Sequence, residues 1–139
     1  MKKKLVTFTI PILIICLGFV LHSLRAQEST RVKAVSAKEA ADLIEKHKVD
    51  NDFAILDIRT PGEFQSGHLA NSILIDFYSK TFADQLSRLD KEKTFLIYCR
   101  SGNRSTTSLE IFKKLKFQNV YHMSYGIRAW KSEGFSVVK

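Results

Sequence analysis

The chain has 139 residues, 45% of them hydrophobic, and a formal net charge of +8. That length holds one domain. Four of the 22 basic residues (Lys2, Lys3, Lys4 and Arg25) fall in an acid-free stretch of residues 1–26, leaving 18 basic against 14 acidic residues beyond it. Without a basic cluster or interleaved aromatics, that excess argues against nucleic-acid binding.

The N-terminus is patterned for export. Three lysines precede an apolar run from Leu5 to Leu21, interrupted by Thr7, Thr9, Pro11 and Gly18. Ala26 offers a residue before a cut, with Leu24 in place of the preferred small residue two positions earlier. The alternative is an uncleaved anchor, because the run sits at the short end of the roughly 17–25 residues that span a bilayer. Bulky Ile15 before Cys16 argues against lipid attachment. Either way the remainder is expected in an exported compartment, most simply the periplasm, or held at the inner membrane by the anchor.

Residues 27–31 are polar and are expected to form a short linker, with one domain over residues 32–139. Ser36-Ala37-Lys38-Glu39 is a capping box, and Ala40, Leu43, Ile44 and His47 follow on one helix face. Phe53 to Leu56 is a short apolar run of buried-strand type. Thr60-Pro61-Gly62-Glu63 is a second capping box with proline at the first helical position. Ile73 to Ile75 is a strand candidate, and Phe82, Leu86 and Leu89 keep helical spacing. Phe95 to Tyr98 is the clearest strand. Leu109, Phe112 and Leu115, with Ile111 beside them, stripe a long helix; Val120 to Met123 is a late strand and Ile127 to Lys131 a short helix. Strands alternating with helices predict an α/β domain whose parallel sheet is covered on both faces. Ligands bind such sheets beyond the carboxyl ends of the strands.

Cys99 sits at one of those ends and is the only cysteine beyond the export segment, so the domain holds no internal disulfide. The loop Cys99-Arg100-Ser101-Gly102-Asn103-Arg104 follows, and a helix starts near Ser105. A loop curled around the sulfur can turn its amides inward. The helix N-terminus adds partial positive charge, and Arg100 and Arg104 add full charges. Each effect favours the thiolate and would stabilise an anion attached to the sulfur. The competing reading is an inert core cysteine beside surface arginines.

This loop resembles the active-site loop of rhodanese-type sulfurtransferases. Leu56 to Ile73 resembles their other signature through Asp57, Arg59, Glu63, Phe64, Gly67 and His68, with Leu69 for the usual Ile. Tyr125 to Trp130 resembles their closing Gly-Gly-x-x-x-Trp. The resemblance covers roughly residues 33–138, one whole domain. It departs at Asn71-Ser72, where Gly-Ala is usual, and at Tyr125, which replaces the first closing glycine.

The resemblance implies a three-layer rhodanese-like fold with a mostly parallel sheet of about five strands and helices on both faces. It implies that Cys99 takes a sulfane sulfur from an anionic donor such as thiosulfate or polysulfide. The resulting persulfide would pass its sulfur to cyanide or a thiol. The amides of Arg100, Ser101, Gly102, Asn103 and Arg104 would hold the persulfide, and Arg100 or Arg104 would meet the donor. Asp57 and Arg59 form a structural pair or contact the substrate. Glu63 reads as a cap, His68 as structural and Trp130 as core. No metal or organic cofactor is implied, and His47 and His122 lack a spaced partner. A redox or sulfur-carrier protein is a further candidate partner, and membrane contact is expected only through residues 1–26. The alternatives are a sulfur carrier, a rhodanese-like binding module, and a cysteine phosphatase or an arsenate- or selenium-handling enzyme. Phosphatase loops place five residues between cysteine and arginine; here four intervene.

Overall fold

The structure is a computed structural model, and it describes residues 29–139. The export segment therefore lies outside the described residues. No helix among those described is long and apolar enough to cross a membrane.

Five strands form one parallel sheet: β1 (Arg31–Val35), β2 (Phe53–Asp57), β3 (Ser72–Leu74), β4 (Thr94–Tyr98) and β5 (Asn119–Met123), in the order β1-β5-β4-β2-β3. Five helices join them: α1 (Ala37–Lys46), α2 (Pro61–Gln65), α3 (Phe82–Ser87), α4 (Asn103–Lys114) and α5 (Gly126–Ser132). Both capping boxes form as the sequence predicts. Ser36 caps α1 with Glu39 reaching back, and Thr60 caps α2 with Glu63 doing the same. Pro61 starts α2 because the first helical N–H needs no partner.

The central strands β2 and β4 are buried on both faces, as parallel strands favour. Along β4, Phe95 and Ile97 face one cluster, with Phe82 and Leu86 of α3 and Phe112 of α4. Leu96 and Tyr98 face the other, with Ala37 and Ala40 of α1 and Ile127 and Trp130 of α5. This alternation explains why the run reads as continuously apolar. Cys99 continues the Phe95–Ile97 side.

Two local expectations shift. Strand β1 begins at Arg31, within the span read as linker, and pairs in parallel with β5. The third strand is Ser72–Leu74 rather than a run to Ile75; Ile73 is 50% exposed, and Ile75 is buried just beyond the strand. Strand β3 is an edge, paired on one side only, with β2.

The strand order fixes where a site can form. From β2 the chain moves outward to β3; from β4 it moves the opposite way to β5. The crevice between their diverging connections opens at the carboxyl ends of β2 and β4, where Asp57 lies opposite Tyr98.

Candidate active site

Cys99 follows Tyr98 at that crevice and is 1% exposed. The loop after it turns back over the sulfur. Gly102 N–H donates to Cys99 Sγ at 3.1 Å. The Ser105 hydroxyl sits between Sγ, 3.8 Å away, and the Gly102 carbonyl, 2.8 Å away. Burial pushes the thiol pKa up. The amides of Ser105 and Ser101, the Ser105 hydroxyl and the Gly102 amide outweigh it and hold the pKa below the ordinary 9.0. The cradle thus favours negative charge on sulfur.

Two glycines make the turn feasible. Gly102 has φ +98°, and a Cβ there would lie 1.7 Å from the Ser124 carbonyl oxygen. Gly126 has φ +59°, and its Cβ would lie 2.4 Å from the Cys99 carbonyl oxygen. Loop and α5 are therefore in backbone contact. Ile127 N–H donates to the Cys99 carbonyl at 2.9 Å and Arg128 N–H to the Arg100 carbonyl at 3.1 Å.

The two loop arginines part company. Arg104 is half-buried and makes a two-point pair with Glu63, each arm 2.8 Å, while its guanidinium lies 5.5 Å from the Tyr78 ring centroid. The Arg104 hydrogen bonds draw the Glu63 pKa down to about 2 against the cost of burial, helped by the Thr60 amide. Glu63 is thus a helix cap and also the anchor of Arg104. Arg100 is exposed and forms no ion pair among the described residues. Ser101 is half-buried, and Asn103 starts α4 on the surface.

Asp57 and Arg59 are buried, at 0% and 3% exposure. Arg59 Nε and Nη2 donate to both Asp57 oxygens at 2.6–3.0 Å, and Nη2 also donates to the Gly67 carbonyl at 2.9 Å. Tyr98 O–H donates to Asp57 Oδ2 at 2.6 Å and accepts from the Leu69 amide at 3.1 Å. Ser72, one of the departures, places its hydroxyl 3.2 Å from Tyr98 Oη. This network ties the ends of β2, β3 and β4 together. His68 is held against Phe64: Nδ1 lies 3.0 Å from the Phe64 carbonyl, and its ring stacks on that of Phe64. Trp130 is core. The described residues hold no group of three or more His, Cys, Asp or Glu side chains that could bind a metal.

Sequence reasoning missed Ser105, Tyr78 and Tyr98. Ser105 carried a signal, since the start of a helix supplies free amides. The other two act across distances that local spacing does not encode.

The chain is thus a parallel α/β domain with a thiolate-favouring cysteine, cradled by amides, at its topological switch point. The Rhodanese-like domain model matches residues 36–133, and the chain belongs to that family. It is 31% identical over 83 residues to the thiosulfate sulfurtransferase GlpE of Pseudomonas aeruginosa, covering 60% of this chain and 74% of that protein. It is 26% identical over 108 residues to a Mycobacterium tuberculosis protein named "Probable adenylyltransferase/sulfurtransferase MoeZ", covering 78% of this chain but only 27% of that relative. The crystal structure of a rhodanese-related protein from Thermoplasma volcanium superposes with a TM-score of 0.63 at 32% identity, covering 76% of this chain and 97% of that one.

Proposed function

We propose that this chain is a sulfurtransferase that moves sulfane sulfur from thiosulfate or polysulfide to cyanide or a thiol through a Cys99 persulfide. The observation that carries the reading is the thiolate-favouring amide cradle around Cys99 Sγ. Family membership and the likeness to GlpE support it.

In the first half, the Cys99 thiolate attacks the outer sulfur of thiosulfate. The Sγ–S bond forms, the S–S bond of thiosulfate breaks, and sulfite leaves with the electron pair. In the second half, the acceptor attacks the outer sulfur and Cys99 leaves as thiolate, its charge received by the amides of Ser101, Gly102 and Ser105. Cyanide departs as thiocyanate and a thiol as its persulfide. Arg100, exposed and without an ion pair among the described residues, meets the donor. Arg104, held by Glu63, supplies a fixed charge from the side. That same pairing disfavours the phosphatase reading, in which the closing arginine must grip phosphate.

The test is thiocyanate formation from thiosulfate and cyanide with ping-pong kinetics. The reading expects activity in the parent and none in Cys99→Ser; equal rates in the two proteins would overturn it. A persulfide that forms but turns over with no small acceptor would favour the carrier reading.

The lysines and apolar run of residues 1–26 also support export to the periplasm, as a cleaved signal or an uncleaved anchor. Protein recovered from its own cells should begin at Gln27 if cleaved, and cytoplasmic recovery would refute export.

A further inference from the structure

Beside the Cys99 loop lies an open cavity of about 690 Å3, lined by Ser101, Tyr125, Arg128, Ala129, Lys131 and Ser132. Its volume falls in the range of small-molecule sites. Ser101 belongs to the loop itself, and its amide is one of those that favour the Cys99 thiolate. The facing wall is α5, joined to the loop by the Ile127 and Arg128 backbone hydrogen bonds. Cavity and cradle therefore share a rigid seam.

The cations around it form no ion pair among the described residues. Arg59, Arg88 and Arg104 each hold a carboxylate. Arg100, Arg128 and Lys131 are exposed and form no ion pair among the described residues. No acidic residue lies between Glu92 and Glu110 in the sequence, and Glu133, the one acid after Glu110, does not line the cavity. Tyr125, 71% exposed, stands where a relative with the usual glycine would have no side chain. An exposed aromatic ring beside two cations three residues apart on one helix, neither ion-paired among the described residues, suits a small ligand with a peptide-like body and carboxylate ends.

We infer that this cavity is the acceptor subsite and that it selects a small peptide thiol bearing two carboxylates. The inference rests on the sulfurtransferase reading. Arg128 and Lys131 take the carboxylates, and the Tyr125 ring packs on the peptide body. The acceptor thiolate comes in from the Ser101 side, toward an outer sulfur about 2.05 Å beyond Sγ. It attacks that sulfur, the bond to Sγ breaks, and Cys99 leaves as thiolate while the acceptor departs as its persulfide.

The test uses glutathione against uncharged 2-mercaptoethanol as acceptors for the persulfide-loaded full chain. The Arg128→Ala/Lys131→Ala double variant should cut the preference for glutathione over 2-mercaptoethanol by about tenfold, a few-fold for each exposed charge contact. An unchanged preference overturns the subsite and leaves sulfur transfer standing. Failure of Cys99 to load sulfur at all would instead sink the transferase reading. A second arm is independent of turnover: S-methylglutathione titrated into the Cys99→Ser chain should bind saturably, and about tenfold more weakly in the double variant. No saturable binding, or binding indifferent to the double variant, overturns the subsite.

Discussion

Glu63 and Arg104, 41 residues apart in the chain, grip each other through two contacts of 2.8 Å. The pair joins the cap of α2 to the first turn of α4. Its side chains are 27% and 14% exposed, so water screens it only in part. A double-mutant cycle with Glu63→Gln and Arg104→Met should give a coupling of about 1 kcal/mol, above that of an open surface pair. The pH dependence follows from the depressed Glu63 pKa. Its contribution is full above the unfolded value of 4.5 and is lost as pH falls toward about 2. Urea midpoints should therefore fall less steeply over that window in Glu63→Gln than in the parent, and parallel slopes would contradict the assignment.

Tyr98→Phe removes the hydroxyl that meets Asp57, the Leu69 amide and Ser72. A buried carboxylate and a buried amide each lose a partner. The expected loss is about 1–3 kcal/mol in urea unfolding. Arg59→Met leaves the Asp57 charge buried without its cation and should cost about 3–5 kcal/mol. A loss below that of Tyr98→Phe would show that the ion pair does not dominate the network.

Gly102→Ala and Gly62→Ala make a contrasting pair. At Gly102 a Cβ meets a backbone carbonyl in a left-handed conformation, whereas at Gly62 nothing lies within 4 Å. Gly62→Ala, inside α2, should be neutral or stabilising by up to about 1 kcal/mol. Gly102→Ala should lower the melting temperature and slow sulfur transfer about tenfold or more through the displaced loop. Its cysteine should alkylate with a midpoint shifted up, because the 3.1 Å amide contact is disturbed.

His122 lies buried in β5 with Nδ1 unpartnered among the described residues. Burial lowers its pKa below the usual 6.5. The unfolded chain therefore takes up the proton first as pH falls through 6.5, and the native state loses stability from there down to its own lower pKa. The window opens at a higher pH than that of Glu63. His122→Leu should flatten the stability profile between pH 7 and 5; an unchanged slope would place the titration elsewhere.

Much of this was legible in sequence because it is local. Both capping boxes, the β4 run and the cysteine at its end are short-range patterns, and each forms where the spacing puts it. What escaped is long-range. Strand β1 shows no apolar pattern of its own, because only Val35 of its five residues is buried; its pairing with β5 defines it. Glu63 was legible as a cap and invisible as the partner of Arg104. Asp57 and Arg59 could be placed at a strand end, but their burial depends on Tyr98 and Gly67 closing over them.

The most direct measurement is the intact mass of the purified chain before and after thiosulfate, alongside Cys99→Ser. Persulfide chemistry at Cys99 predicts a gain of one sulfur atom in the parent, reversed by cyanide, and no gain in the variant. A parent with a free thiol that gains nothing from thiosulfate or polysulfide would contradict it.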